Sequence, residues 1–128
     1  MKHLFISAEL STLSKAENKS RTKFLSEVLE GLTLSGFTVD RVQGMYKGVS
    51  ESSFRVTAPH GELFNLAMIR GLAARLNQES ILWGNDKGAS FLDYLDGSMQ
   101  HIGTMKRAAS TKNLDAYSVI NGQVFTVA

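Results

Sequence analysis

The chain has 128 residues, 43% of them hydrophobic and 20% charged, with 14 Lys plus Arg against 12 Asp plus Glu and no cysteine. That composition points to one small domain over residues 1–128 with a single core, and it excludes disulfide scaffolds and cysteine-ligated zinc sites. A formal charge of +2 argues against a nucleic-acid binder and equally against an acidic mimic of DNA.

No apolar run approaches the roughly 20 residues of a membrane span, and the opening Leu4-Phe5-Ile6 is interrupted by Ser7 and Glu9 before it can act as a signal-peptide core, so a cytoplasmic protein is expected. The same short apolar run reads as a central strand covered on both faces. Ser14 and Glu17 are spaced as a capping box. After them Phe24, Leu25, Val28, Leu29 and Leu32 fall at helical spacing on one face, and Gly36 is expected to end the helix. Gly31 within it is a weak point of about 1 kcal/mol relative to alanine.

Residues 37–43 and 54–58 read as a second and third strand joined by a glycine-flanked turn from Gly44 to Gly48. Pro59 and Gly61 are expected to open a second helix with Phe64, Ala67, Met68, Gly71, Leu72 and Leu76 on one face, stopped by Asn77. Residues 80–84 form a fourth strand. The order βαββαβ predicts an α+β, ferredoxin-like sandwich, an antiparallel sheet with two helices on one face. Residues 90–95 and 102–105 and a hairpin over 117–127, turning at Asn121-Gly122, are extra C-terminal strands that extend the sheet or reach a neighbouring subunit.

The three histidines, His3, His60 and His101, share no ligand spacing, so no metal site is expected. The stretch from Gly84 to Gly88 has a glycine-lysine flavour without the full phosphate-loop pattern and reads as a hairpin turn. Asn18, Ser20 and Arg21 at the first helix start lie close, in a βα unit, to the strand end at Ser7, Ala8 and Glu9, where sheet proteins often hold ligands. Tyr46 and Glu51 share the loop between the second and third strands.

In chain order these clusters resemble one family, the small phage-encoded S-adenosylmethionine lyases, formerly called hydrolases. The resemblance runs through Ile6-Ser7-Ala8, Asn18-Lys19-Ser20-Arg21, Gly44-Met45-Tyr46, Glu51-Ser52-Ser53-Phe54-Arg55-Val56, Asn65-Leu66-Ala67, Gln78, Asp96-Gly97 and Gly122. The segment between Tyr46 and Glu51 is shorter here than in the coliphage members. The resemblance implies cleavage of S-adenosylmethionine to 5′-methylthioadenosine and homoserine lactone, without metal or cofactor, depleting the methyl donor and so countering host restriction. It implies Glu51 and Tyr46 as the catalytic pair and Ser7, Ala8, Met45, Ser53, Asn18 and Arg21 as substrate contacts. It also implies a homotrimer with sites between subunits, and host S-adenosylmethionine synthetase as a further partner. Two rival readings are a non-catalytic adenine-nucleotide-binding trimer resembling the PII signal proteins, for which the stretch from Gly44 to Ser50 is short, and an antidefence protein that acts by binding a host enzyme. Fold alone does not separate them.

Overall fold

A computed structural model describes all residues from Met1 to Ala128. Strand β1 (His3–Ile6) leads to helix α1 (Lys15–Glu30) and a 3-10 turn (Gly31–Ser35), then strands β2 (Thr38–Tyr46) and β3 (Val49–Thr57). Helix α2 (Leu66–Arg75) is followed by β4 (Ile81–Gly84), β5 (Ala89–Asp93), β6 (Met99–Ala108), β7 (Ala116–Ile120) and β8 (Gln123–Val127).

Helix α1 starts where the sequence requires. Ser14 accepts from the Glu17 amide at 3.1 Å, and Glu17 reaches back to the Ser14 amide. Only Leu25 and Leu29 of the expected stripe are fully buried, while Phe24 and Val28 stay exposed. The α-helix stops at Glu30 rather than at Gly36. Thr33 donates its hydroxyl to the Glu30 carbonyl at 2.6 Å, competing with the regular helical bond, and the chain tightens into the 3-10 turn before Gly36 ends it at φ +85°. Helix α2 begins later than expected, at Leu66, because Asn65 caps it by accepting from the Met68 amide at 3.1 Å. Its buried residues are Ile69 and Ala73, with Leu72 and Leu76 beside them; Ala67, Met68 and Gly71 face out. Phe64 precedes the helix and packs edge-to-face between Phe37 and Trp83.

The turn expected over Gly44 to Gly48 is much tighter. Strand β2 continues through Gly44 to Tyr46, and only Lys47 and Gly48 turn the chain, at φ +47° and +82°, both values that a type I′ hairpin demands. Gly44 sits inside the strand, where a Cβ would make ordinary contact with the Glu51 carbonyl oxygen at 3.4 Å. Tyr46 and Glu51 therefore stand on paired strands rather than in a loop. Lys47 holds a left-handed conformation that costs a side chain of its type about 1 kcal/mol. Lys47→Asn is accordingly expected to raise stability by roughly 0.5–1 kcal/mol, read from thermal unfolding; a loss of stability would show that the lysine side chain itself supports the turn.

All pairings are antiparallel, and the strands follow one another in the closed ring β1-β3-β2-β7-β8-β6-β5-β4. This overturns the ferredoxin-like sandwich. An open sheet of β4, β1, β3 and β2 would leave two edges unpaired; instead β7 pairs with β2 and β5 pairs with β4. Strands β8 and β6 join the two arms. The C-terminal strands thus close an eight-stranded barrel within one chain, which removes both edges. The Asn121-Gly122 turn of the β7–β8 hairpin has positive φ at both residues, as read from the sequence.

Alternation along the strands separates two interiors. Leu4, Ile6, Phe54, Val56 and Trp83 point to the helices and make the core with Leu25, Leu29 and Ile69. The intervening positions, among them Phe5, Leu82, Leu92, Met105 and Phe125, line the barrel. Phe54 and Val56 are 2% and 0% exposed beneath the helices. The opposite face of the sheet is rolled into the lumen, because the C-terminal strands, read as extending the sheet or reaching a neighbouring subunit, close it within the chain. No helix is long and apolar enough to cross a membrane.

Candidate active site

Strand β1 ends at Ile6, one step before the sheet stops needing it. Opposite the next positions lies Ser52 of β3, and side chains from the loop after β1 take over its backbone groups. The Ser7 hydroxyl donates to the Ser52 carbonyl oxygen at 2.9 Å, and the Glu9 carboxylate accepts from the Ser52 amide. Ser7 Oγ also accepts from the Glu9 amide at 3.1 Å, and Gln78 donates to the Glu9 carbonyl at 3.2 Å. Ser52 is thus held from both sides, and its two neighbours, Glu51 and Ser53, point into the barrel.

A cavity of about 710 Å³ opens there, within the range of small-molecule sites. Its walls are mainly apolar, with Phe5, Leu82, Ile102, Met105 and Phe125 forming the body. Ser7, Ser53, Gln78, Ser80 and Ser118 supply neutral polar groups, and Glu51 is the one lining residue that carries a charge at neutral pH. No Lys, Arg or His lines the cavity. Gly44 lies between Glu51 and Ser118 in register, so no side chain fills the space between them. Tyr46 stands at the rim, 61% exposed, with the Lys47 ammonium 5.3 Å from its ring centre.

Glu51 remains accessible from the cavity, yet protein surrounds it on several sides. That burial, and next the carboxylate of Glu9, push its pKa above the usual glutamate value. The nearby Ser7 hydroxyl acts in the opposite direction and is the smallest of the three influences. Nowhere do three or more His, Cys, Asp or Glu side chains gather as metal ligands would.

Of the residues singled out from sequence, Glu51, Tyr46, Met45, Ser7 and Ser53 all line this cavity. Asn18, Arg21 and Ala8 do not. Asn18 exchanges two bonds of 2.9 Å with the Leu10 backbone. Arg21 donates to the Ala8 carbonyl at 2.7 Å and to the Leu76 carbonyl, tying the loop after β1 to the end of α2. Both fix the chain that carries Ser7 and Glu9. Sequence reading placed Glu9 at the strand end where ligands gather but gave it no role of its own. It also missed Tyr117, Ser118 and Phe125, which reach the cavity only because β7 and β8 close the ring, and no local pattern announces that.

A closed antiparallel barrel with a wide, mainly apolar cavity and a single wall carboxylate has the form of a small-molecule-binding barrel, with a lining that complements a cationic, largely apolar ligand. The chain belongs to the S-adenosylmethionine lyase family, whose model it matches over residues 4–128. The family's name indicates a lyase acting on S-adenosylmethionine. No curated protein matches the chain.

Proposed function

We propose that the protein cleaves S-adenosylmethionine to 5′-methylthioadenosine and homoserine lactone inside the barrel. The substrate's carboxylate attacks its own γ-carbon, the C–O bond forms as the C–S bond breaks, and the sulfur leaves with the bonding electrons as a neutral thioether. No proton has to move. The observation that carries this reading is the charge pattern of the wall: one carboxylate, Glu51, and no basic side chain. Glu51 attracts the ammonium and sulfonium of the substrate. An arginine or lysine would instead clamp the substrate carboxylate and blunt it as a nucleophile.

Holding the methionine chain in the attacking conformer is worth on the order of 7–11 kcal/mol in favourable cases. Ring closure brings a carboxylate and a sulfonium together and disperses both charges, so apolar walls such as Phe5, Leu82 and Phe125 favour the transition state over the separated charges. Tyr46 at the rim offers its ring face to the sulfonium or its hydroxyl to the substrate. Removal of the methyl donor would starve methylation in a host cell, which is how the activity would counter restriction.

Purified protein with S-adenosylmethionine and a chelator is expected to yield methylthioadenosine and homoserine lactone in equal amounts by chromatography. Binding without turnover would favour a non-catalytic adenosyl-binding barrel. The reading also extends to the homotrimer. Tyr46 and Val49 expose 61% and 63% of their surface at the mouth, and a neighbouring copy seated there would close it. Light scattering should then give three times the 14.0 kDa chain mass, whereas a fully active monomer would contradict the trimer.

A further inference from the structure

We propose that Glu9 is a positioning residue for Glu51, pinning β3 at Ser52 and setting a second negative charge behind the cation-binding carboxylate. The inference rests on the reading of Glu51 as the group that meets the substrate cation, and it starts from where the β1–β3 ladder runs out. Four residue pairs join these strands, from His3–Thr57 to Ile6–Phe54. Beyond them Ser52 would have both backbone groups unpaired against the loop. The Ser7 hydroxyl and the Glu9 carboxylate satisfy them, so two side chains continue the ladder by one residue.

Ser52 is flanked by Glu51 and Ser53, which both line the cavity. Any freedom at Ser52 passes directly to them. Glu9 is itself held by the Ser7 hydroxyl on its amide and by Gln78 on its carbonyl. Its carboxylate takes part in neither of the two salt bridges, Arg55–Asp40 and Arg70–Asp93, so no cationic side chain neutralises it. A second carboxylate beside Glu51 deepens the attraction for a ligand bearing two positive centres and raises the pH at which Glu51 ionises. The other titratable side chains on the cavity wall are Tyr46 from β2 and Tyr117 from β7; the approach to β4 contributes only neutral Gln78 and Ser80.

Two variants separate the pin from the charge. Glu9→Gln keeps an acceptor for the Ser52 amide and removes the charge; Glu9→Ala removes both. Carbon-13 detection of the Glu51 carboxyl should show it titrating at lower pH in Glu9→Gln, and amide hydrogen exchange at Ser52 should be slow there but fast in Glu9→Ala. In turnover, Glu9→Gln should move the acid limb of kcat/KM to lower pH and raise KM by about three- to tenfold with kcat held within about threefold. Glu9→Ala should lower kcat by about tenfold or more as Glu51 loses its aim. The Glu51 titration and the Ser52 exchange need no turnover, so they judge the role of Glu9 even if the reaction assigned to the cavity is wrong. Unmoved Glu51 titration in Glu9→Gln, or a protected Ser52 amide in Glu9→Ala, would overturn the proposal.

Discussion

Glu51→Gln is expected to lower kcat/KM for S-adenosylmethionine by about tenfold to a hundredfold, the equivalent of one charge-assisted hydrogen bond of roughly 1.5–3 kcal/mol. Glutamine preserves the volume of the side chain on β3 but cannot answer a cation. Because burial and Glu9 raise the pKa of Glu51, the ionised form proposed to grip the substrate is lost, as pH falls, at a higher pH than for an unperturbed glutamate. Wild-type activity should therefore drop on mild acidification, and Glu51→Gln should flatten that limb. If Glu51 acted instead as a general base on water, the variant would be nearly inactive and wild type would form homoserine directly. Tyr46→Phe should cost less than Glu51→Gln if the ring meets the sulfonium, and a comparable amount if the hydroxyl does. Unchanged kinetics in both variants would place the chemistry elsewhere.

The largest effect on stability is expected at Asp93, whose side chain turns to the helix side of β5, away from the cavity that Leu92 lines. Its side chain is 1% exposed and accepts three bonds: from Arg70 Nε at 2.7 Å, Trp83 Nε1 at 3.1 Å and the Leu95 amide at 3.0 Å. These tie α2 to β4 and to the end of β5. Burial alone would raise the Asp93 pKa, but the bonds from Arg70, Leu95 and Trp83 outweigh it and hold the carboxyl below its usual value. A folded-state pKa below the unfolded one contributes stability that is full above about pH 4 and is lost as pH falls through the folded value. Asp93→Ala leaves the Trp83 and Leu95 N–H groups without partners and Arg70 without its counter-ion. Since Arg70 is partly exposed and can rehydrate, the cost should be about 2–4 kcal/mol in denaturant unfolding. That is a large share of a typical domain's stability. The acid-dependent part of the wild-type stability should also shrink in the variant. A change under about 0.5 kcal/mol would show that the three bonds contribute little.

Local structure was most legible where a short-range rule is strong. The Ser14–Glu17 box, the Asn121-Gly122 hairpin and the Asn77 stop depend on a few adjacent residues, and each stands where it was read. Gly44 misled because a glycine four residues before Gly48 reads as the start of a turn, whereas here it pairs with Glu51 and Ser118 inside the sheet. The barrel was not legible for a different reason. The order βαββαβ is present in the first 84 residues, but whether β5 to β8 extend a sheet or close it depends on which edges they meet, and pairing across 70 or more positions leaves no periodic trace. The site divides the same way. Ser7, Met45, Tyr46, Glu51 and Ser53 converge on the cavity, while Asn18 and Arg21 spend their polar groups on backbone carbonyls and an amide. A polar side chain beside a strand end can serve either the ligand or the chain that frames it, and only the geometry distinguishes the two.

The central claim is that the substrate's own carboxylate is the nucleophile in a cavity whose wall contributes one carboxylate and no base poised on water. Turnover of S-adenosylmethionine in oxygen-18 water, with products quenched early and read by mass spectrometry, tests it most directly. Internal attack predicts homoserine lactone free of label when first released, with any later ring opening placing oxygen-18 in the carboxyl group only. Oxygen-18 in the γ-hydroxyl of homoserine would contradict the account, because it requires water to attack the γ-carbon.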